Sequence, residues 1–229
     1  MQTSQDLLAI LQAVARPDQL PGMQRYGMNI QNRLGVSIPE LRTIARQVGK
    51  QHDLALDLWQ SGIAEARILA SMLASPGMIT GEQMDAWAAD FDSWDVCDQV
   101  CMNLFEKSPL AWQKVEQWSG RKEEFVRRAA YALLACLAWH DKKASDEDFI
   151  RLLPVIRAGQ TDERKMVAKA VSWALRNIGK RSPRLHQAAL QTAQELLASG
   201  SKTARWIGAD VQRDLHSKAT TNRLAKIKR

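Results

Sequence analysis

The chain has 229 residues, 45% of them hydrophobic and 25% charged, with a formal net charge of +7. This composition excludes a disordered chain, and the length suits one large domain or a short repeat array with a sizeable core. No run of about 18 apolar residues occurs, so no membrane-spanning helix and no membrane partner is expected.

The first sixteen residues, ending at Arg16, carry no basic segment ahead of their apolar part, so they read as an amphipathic helix and not a signal peptide. Helix signals then recur along the chain. Ser37-Ile38-Pro39-Glu40 has the form of a capping box with an early proline, and Thr80-Gly81-Glu82-Gln83 repeats the box. Ser108-Pro109 and Ser182-Pro183 place a cap residue before a proline suited to the first helical turn. Gly49, Gly62, Gly120, Gly159 and Gly200 fall where helices should stop. No segment alternates apolar and polar residues for long, so strands are not expected. The pattern predicts about a dozen helices of about 10–18 residues joined by short turns.

Some of these helices resemble one another. Phe125–Leu134 aligns with Met166–Leu175, 41 positions later, and Glu65–Leu73 and Thr203–Asp210 are weaker matches. Helix pairs recurring at such a period predict an all-α, HEAT-like solenoid, expected to form a single domain over 1–229 and to offer a concave surface. A globular helical bundle is the alternative. Charge is distributed unevenly along this array. Residues 1–156 hold 16 basic and 20 acidic side chains, and residues 157–229 hold 16 and 5. A basic face that meets a polyanion is the natural reading, against a plain basic tail over about 216–229.

Three helices carry candidate chemistry. On residues 164–180, Val167, Val171, Ala174, Leu175 and Ile178 form an apolar stripe, and Lys165, Lys169, Trp173, Arg176 and Lys180 lie opposite. A tryptophan among cations suits a phosphate-rich partner, although it could equally cover a neighbouring helix. On residues 93–105, Trp94 and Asp98 stand one turn apart beside a buried stripe of Cys97, Val100, Cys101 and Leu104. Asp92, Asp95 and Asp98 crowd this helix, and a carboxylate in a basic protein repels phosphates, so its presence suggests a chemical task. The alternative is that Asp92 caps the helix and Asp98 pairs with an arginine. On residues 123–139, Val126, Ala129, Ala130, Leu133 and Leu137 face the core, whereas Arg127, Arg128 and Tyr131 are expected to face elsewhere. An arginine there can hold a phosphate bidentately or pair with a carboxylate. His52, His140, His186 and His216 show no metal spacing, so no metal site is expected. Cys97, Cys101 and Cys136 are an odd number in no disulfide pattern, which points to core thiols in a reducing cytoplasm.

Ser93-Trp94-Asp95-Val96-Cys97-Asp98, Phe125-Val126-Arg127-Arg128 and Lys169-Ala170-Val171-Ser172-Trp173-Ala174-Leu175-Arg176 resemble the motifs of AlkD-type DNA alkylation repair glycosylases. Met23-Gln24-Arg25-Tyr26 followed by Leu34–Glu40 is similar to that family's N-terminal region. The resemblance runs from about residue 20 to about residue 215 of the sequence. It implies a HEAT-like fold that cups double-stranded DNA and an enzyme that removes cationic N3- and N7-alkylpurines by cleaving the glycosidic bond, with no cofactor. It places the catalytic carboxylate at Asp98 and sugar-contacting indoles at Trp94 and Trp173. It places DNA-facing arginines at Arg128 and Arg176, and a tyrosine near the DNA at Tyr26. Arg127 and Lys169 are added as DNA-binding candidates from their charge and position. The expected protein is a cytoplasmic monomer that meets the nucleoid through DNA. A non-catalytic HEAT protein that binds damaged or branched DNA is the rival expectation.

Overall fold

A computed structural model describes residues 3–227. Among these residues there are helices and turns and no strand, and no helix is long and apolar enough to cross a membrane. The chain divides into two compact units, residues 1–111 and 112–229. The first holds α1 (Ser4–Ala13), α2 (Leu20–Arg25), α3 (Ile38–Val48), α4 (His52–Trp59), α5 (Ala64–Leu73), α6 (Gly81–Ala89) and α7 (Trp94–Asn103). From the boundary onward come α8 (Ala111–Ser119), α9 (Glu124–His140), α10 (Asp146–Ile150) and α11 (Leu153–Gly159). They are followed by α12 (Lys165–Gly179), α13 (Pro183–Leu197), α14 (Lys202–Leu215) and α15 (Lys218–Ile227). The stretch read as a basic tail therefore carries α15, and its last residues, Lys228 and Arg229, lie outside the described residues.

Six helix starts among the described residues obey the capping logic of the sequence, whereas α8 begins at Ala111, past the Ser108-Pro109 start expected for it. Thr80 forms a full box with Gln83, and Thr3 and Ser145 do the same with Asp6 and Asp148. Ser37, Ser182 and Ser201 each accept a hydrogen bond from the amide three residues on. Each such cap satisfies a donor that the helix leaves open, for about 1 kcal/mol.

In the first unit, α4 packs on α5, and α5 on α3 and α7. An aromatic cluster fills the space beneath: Trp59 stacks on Trp87 at 3.8 Å, with Phe91 and Phe105 at their edges. The indole N–H of Trp59 donates to Asp90 at 2.7 Å, so the buried ring keeps its polar atom satisfied.

In the second unit, α12 packs against both α9 and α14. Hydrogen bonds from the α12 region to the α9 region keep a near-constant offset. Arg164 donates to the Lys122 carbonyl, Asn177 to Ala135 and Arg181 to Ala138, offsets of 42, 42 and 43 positions. A constant offset means that the two helices run in the same direction, because antiparallel neighbours would give a changing one. Along α12, Ser172 reaches Asp210 and the later Lys180 reaches the later Asp214, so the partners advance together and α14 continues the stack in the same sense. Parallel repetition of like helices is the construction of a HEAT-like array.

This stacking corrects one expectation. Off-core positions were expected for Arg127, Arg128 and Tyr131, yet Tyr131 is fully buried and Arg128 is 5% exposed. The wheel marks one apolar face, but α9 is enclosed along nearly its whole length, from Val126 to Ala138. Gly159 of α11 exists to admit that crowding: a Cβ there would stand 2.4 Å from the Tyr131 hydroxyl.

Candidate nucleic-acid interface

The first unit places its candidates at the start of α7. Trp94 and Asp98, one turn apart, are both half-buried. The indole N–H of Trp94 donates to the backbone carbonyl of Tyr26 at 3.2 Å, so the structure brings Trp94 and Tyr26 together. Tyr26 caps the end of α2, and its side chain is 77% exposed.

What fixes this end of α7 is a set of residues that the sequence reading did not select. Ser93, not Asp92, takes the N-cap position, and its side chain turns inward. The Ser93 hydroxyl donates to Asp95 at 2.5 Å and accepts from the Asn29 amide at 3.1 Å. Asp95 in turn holds the Arg33 guanidinium through two bonds, 2.7 and 3.0 Å. The Arg33 side chain is 2% exposed, and its Nε donates to the Asn29 carbonyl at 2.8 Å. Asp92 accepts from the Asn29 side chain at 2.7 Å, so its expected role as a helix cap is replaced by a loop contact. The loop between α2 and α3 is thus clamped to the helix that carries Trp94 and Asp98. The cue for this clamp was the crowding of acids on α7, which calls for a cation. Nothing local to Arg33 marks it as that cation, because the pair spans 62 positions.

The loop closes through a second buried carboxylate. Glu65, on α5, accepts from the amides of Leu34 and Gly35 at 2.9 and 2.8 Å. Gly35 has φ +80°, and a Cβ there would fall 2.1 Å from the Arg16 carbonyl oxygen. The close approach comes with a bond from the Arg16 amide to the Leu34 carbonyl at 2.8 Å. Only glycine meets both demands without strain.

The second unit carries the cationic candidates. Lys165 and Lys169 are exposed on α12, and Trp173, Arg176 and Lys180 follow half-buried along the same stripe. The stripe changes character along its length. Asp210 of α14 accepts from Ser172 at 2.6 Å, pairs with Arg176 at 3.6 Å and also holds Arg213. Asp214 holds Lys180 at 2.5 Å. Lys165 and Lys169 have no ion pair with a carboxylate among the described residues. Arg127 pairs with Asp162 at 3.0 Å and donates to the Ala158 carbonyl at 3.2 Å. Asp162 also holds Arg164 at 2.6 Å, and the Arg164 guanidinium keeps its carboxyl below the usual carboxylate range. Buried Arg128 donates to the Met166 carbonyl, which ties α9 to the first turn of α12. The three cysteines are buried and form no disulfide, and no cluster of three His, Cys, Asp or Glu residues suited to a metal occurs among the described residues.

Stacked parallel helices with a basic, tryptophan-bearing stripe define the class: a HEAT-like helical-repeat protein. The sequence profile of the family described as DNA alkylation repair enzyme matches residues 7–226, and the chain belongs to that family. A solved structure superposes with a TM-score of 0.74 at 17% identity, over 93% of this chain and 95% of that one. It is described as a new family of proteins related to the HEAT-like repeat DNA glycosylases with affinity for branched DNA structures. Two designed armadillo repeat proteins, one in complex with a (KR)4 peptide, match at TM-scores of 0.38 and 0.37, each at 16% identity. They cover 99% and 78% of this chain and 87% and 92% of their own. Comparison with curated protein sequences gives no match.

Proposed function

We propose that the protein is a DNA glycosylase that releases cationic N3- and N7-alkylpurines from double-stranded DNA by hydrolysing the N-glycosidic bond. The observation that carries this reading is the pairing of Trp94 with Asp98 on one face of α7, held from beneath by the buried Ser93–Asp95–Arg33 clamp, in a chain of the alkylation repair family.

Alkylation makes the purine a cation. When the glycosidic bond breaks, its electron pair goes to the purine and cancels that charge, while positive charge develops on the deoxyribose. The Asp98 carboxylate favours that charge more in the transition state than in the ground state. Water supplies the oxygen that bonds to the sugar carbon, and Asp98 positions it or takes its proton. The reaction as written consumes water and needs no cofactor. The Trp94 indole offers the sugar an apolar face whose quadrupole attracts the forming cation. Trp173 is retained as the second indole that the resemblance implies, with Arg176, Lys169, Arg127 and Tyr26 as DNA-binding residues, whereas buried Arg128 supports them by tying α9 to α12.

A second reading is favoured by a specific observation. The solved relative is described by its affinity for branched DNA, and in this chain Arg176 and Arg127 are already engaged by Asp210 and Asp162. On that reading the protein binds branched DNA and cleaves nothing. Release of free base from duplex DNA carrying N7-methylguanine separates the two. The wild type should release the base, and Asp98→Asn should lose about 100- to 1,000-fold of the rate while still binding the duplex. Equal release by both proteins removes Asp98 from the mechanism. Binding without release by the wild type selects the second reading.

A further inference from the structure

The stripe between α12 and α14 contains a cleft that the excision chemistry does not use. Its volume is about 460 Å³, and it is lined by Lys165, Ala168 and Lys169 from α12, by Lys202, Thr203 and Trp206 from α14, and by Glu163, the single carboxylate beside three lysines. Because α12 and α14 run parallel, Lys202 and Trp206 stand abreast of Lys165 and Lys169. Each helix presents a lysine four residues before a tryptophan, Lys169–Trp173 and Lys202–Trp206. The two tryptophans differ in setting: Trp173 is half-buried, whereas Trp206 is 46% exposed.

Two costs stand without an internal return. An exposed indole leaves a large apolar face in water. Lys165, Lys169 and Lys202 sit exposed, with no carboxylate ion-paired to any of them among the described residues, although two to three turns further along α12 Asp210 and Asp214 pair with Arg176 and Lys180. Neither α12 nor α14 has an acid in its first turn, where acids are normally favoured. An anionic ligand with a flat apolar face answers both costs, and the volume lies in the range of ordinary ligand clefts.

We infer that this cleft binds an unpaired nucleotide of DNA, with the base stacked on Trp206 and the flanking phosphates held by Lys165, Lys169 and Lys202. A base inside a duplex has both faces covered by its neighbours, so an indole can stack only on a base that has left the stack. Stacking on an aromatic ring tolerates every base, and lysines follow the backbone as point charges, so the site reads single-strandedness and not sequence. The inference rests on the proposed DNA binding and adds to it a contact for strand ends, flaps or gaps.

The test is fluorescence anisotropy with a labelled oligothymidylate and a labelled duplex of the same length. In Trp206→Ala the ratio of single-strand to duplex affinity should fall about tenfold, and Trp206→Phe should keep most of it. Lys165→Gln combined with Lys202→Gln should flatten the salt dependence of single-strand binding by about 1.4 in the log–log slope. An unchanged ratio in Trp206→Ala, or a wild type that binds duplex but not oligothymidylate, overturns the inference and leaves the DNA-binding reading intact. A wild type that binds neither DNA overturns both.

Discussion

The start of α7 and the stripe along α12 both display tryptophan beside charge, yet they are built in opposite ways. At α7, charge is buried and paired: Arg33, Asp95 and Ser93 form a closed network whose task is to hold a loop and a helix in one geometry. Along α12, charge is exposed toward its N-terminal half, where Lys165 and Lys169 stand, and becomes paired toward the other half, where Asp210 and Asp214 intervene. The contrast teaches what each region can tolerate. A chemical site needs its groups held to a fraction of an ångström, which buried pairing provides. A surface that tracks a polyanion needs cations free to move and to shed counterions, which buried pairing would prevent.

The largest effect that can break this comparison is loss of the clamp. Arg33→Ala leaves Asp95 buried without its cation and should cost about 3–5 kcal/mol of stability, measured by urea unfolding. A cost under about 1 kcal/mol would mean that the network is dispensable and that α7 is positioned by apolar packing alone. Gly35→Ala comes next. Its Cβ meets the Arg16 carbonyl at a positive φ, so about 2–3 kcal/mol should be lost, with base release falling as the loop moves off α7. If the variant melts like the wild type, the loop does not carry the site.

Acid sharpens the comparison from the side of the second unit. The Asp162 carboxyl is held below its ordinary value, chiefly by hydrogen bonds from the Arg164 guanidinium, and Arg127 adds to the effect. The stability it contributes is fully present above the unfolded value near 3.9 and is lost as pH falls through the lower folded value. Melting temperature should therefore drop below about pH 4, and Asp162→Asn should flatten that part of the profile. An identical profile in the variant would place the acid sensitivity elsewhere.

The smallest expected change concerns Asp210. Asp210→Asn removes the negative charge that engages Arg176 and Arg213, so DNA binding should strengthen a few-fold at low salt. The log–log salt slope should steepen by about 0.9 if Arg176 gains one phosphate contact. Weaker binding would mean that Asp210 instead orients Arg176 for its partner.

Much of the fold was legible in the chain. Cap residues, glycine stops and the 41-residue echo between Phe125–Leu134 and Met166–Leu175 are local or periodic signals, and the structure realises them as α9 and α12 packed in parallel. The motif residues Trp94 and Asp98 were legible for the same reason, since one turn of helix fixes their common side. Arg33, Asn29 and Glu65 were not, because each acts on a partner 30 or more positions away and nothing in its own neighbourhood announces that partner. Trp206 was visible only as part of a weak repeat, because its exposure depends on α14 lying beside α12.

The sequence by itself therefore determined the helices, their repetition, the family and the side of each helix on which charge and tryptophan appear, all of which follow from short-range periodicity and capping chemistry. Tertiary structure alone decided which of those charges are spent internally. Arg128 and Tyr131 look outward on a wheel and are enclosed by the stack, Arg176 meets a carboxylate from α14, and Lys165 and Lys169 do not. The physical reason is that burial and ion pairing depend on what the next helix brings within a few ångströms, and no single helix encodes its neighbour.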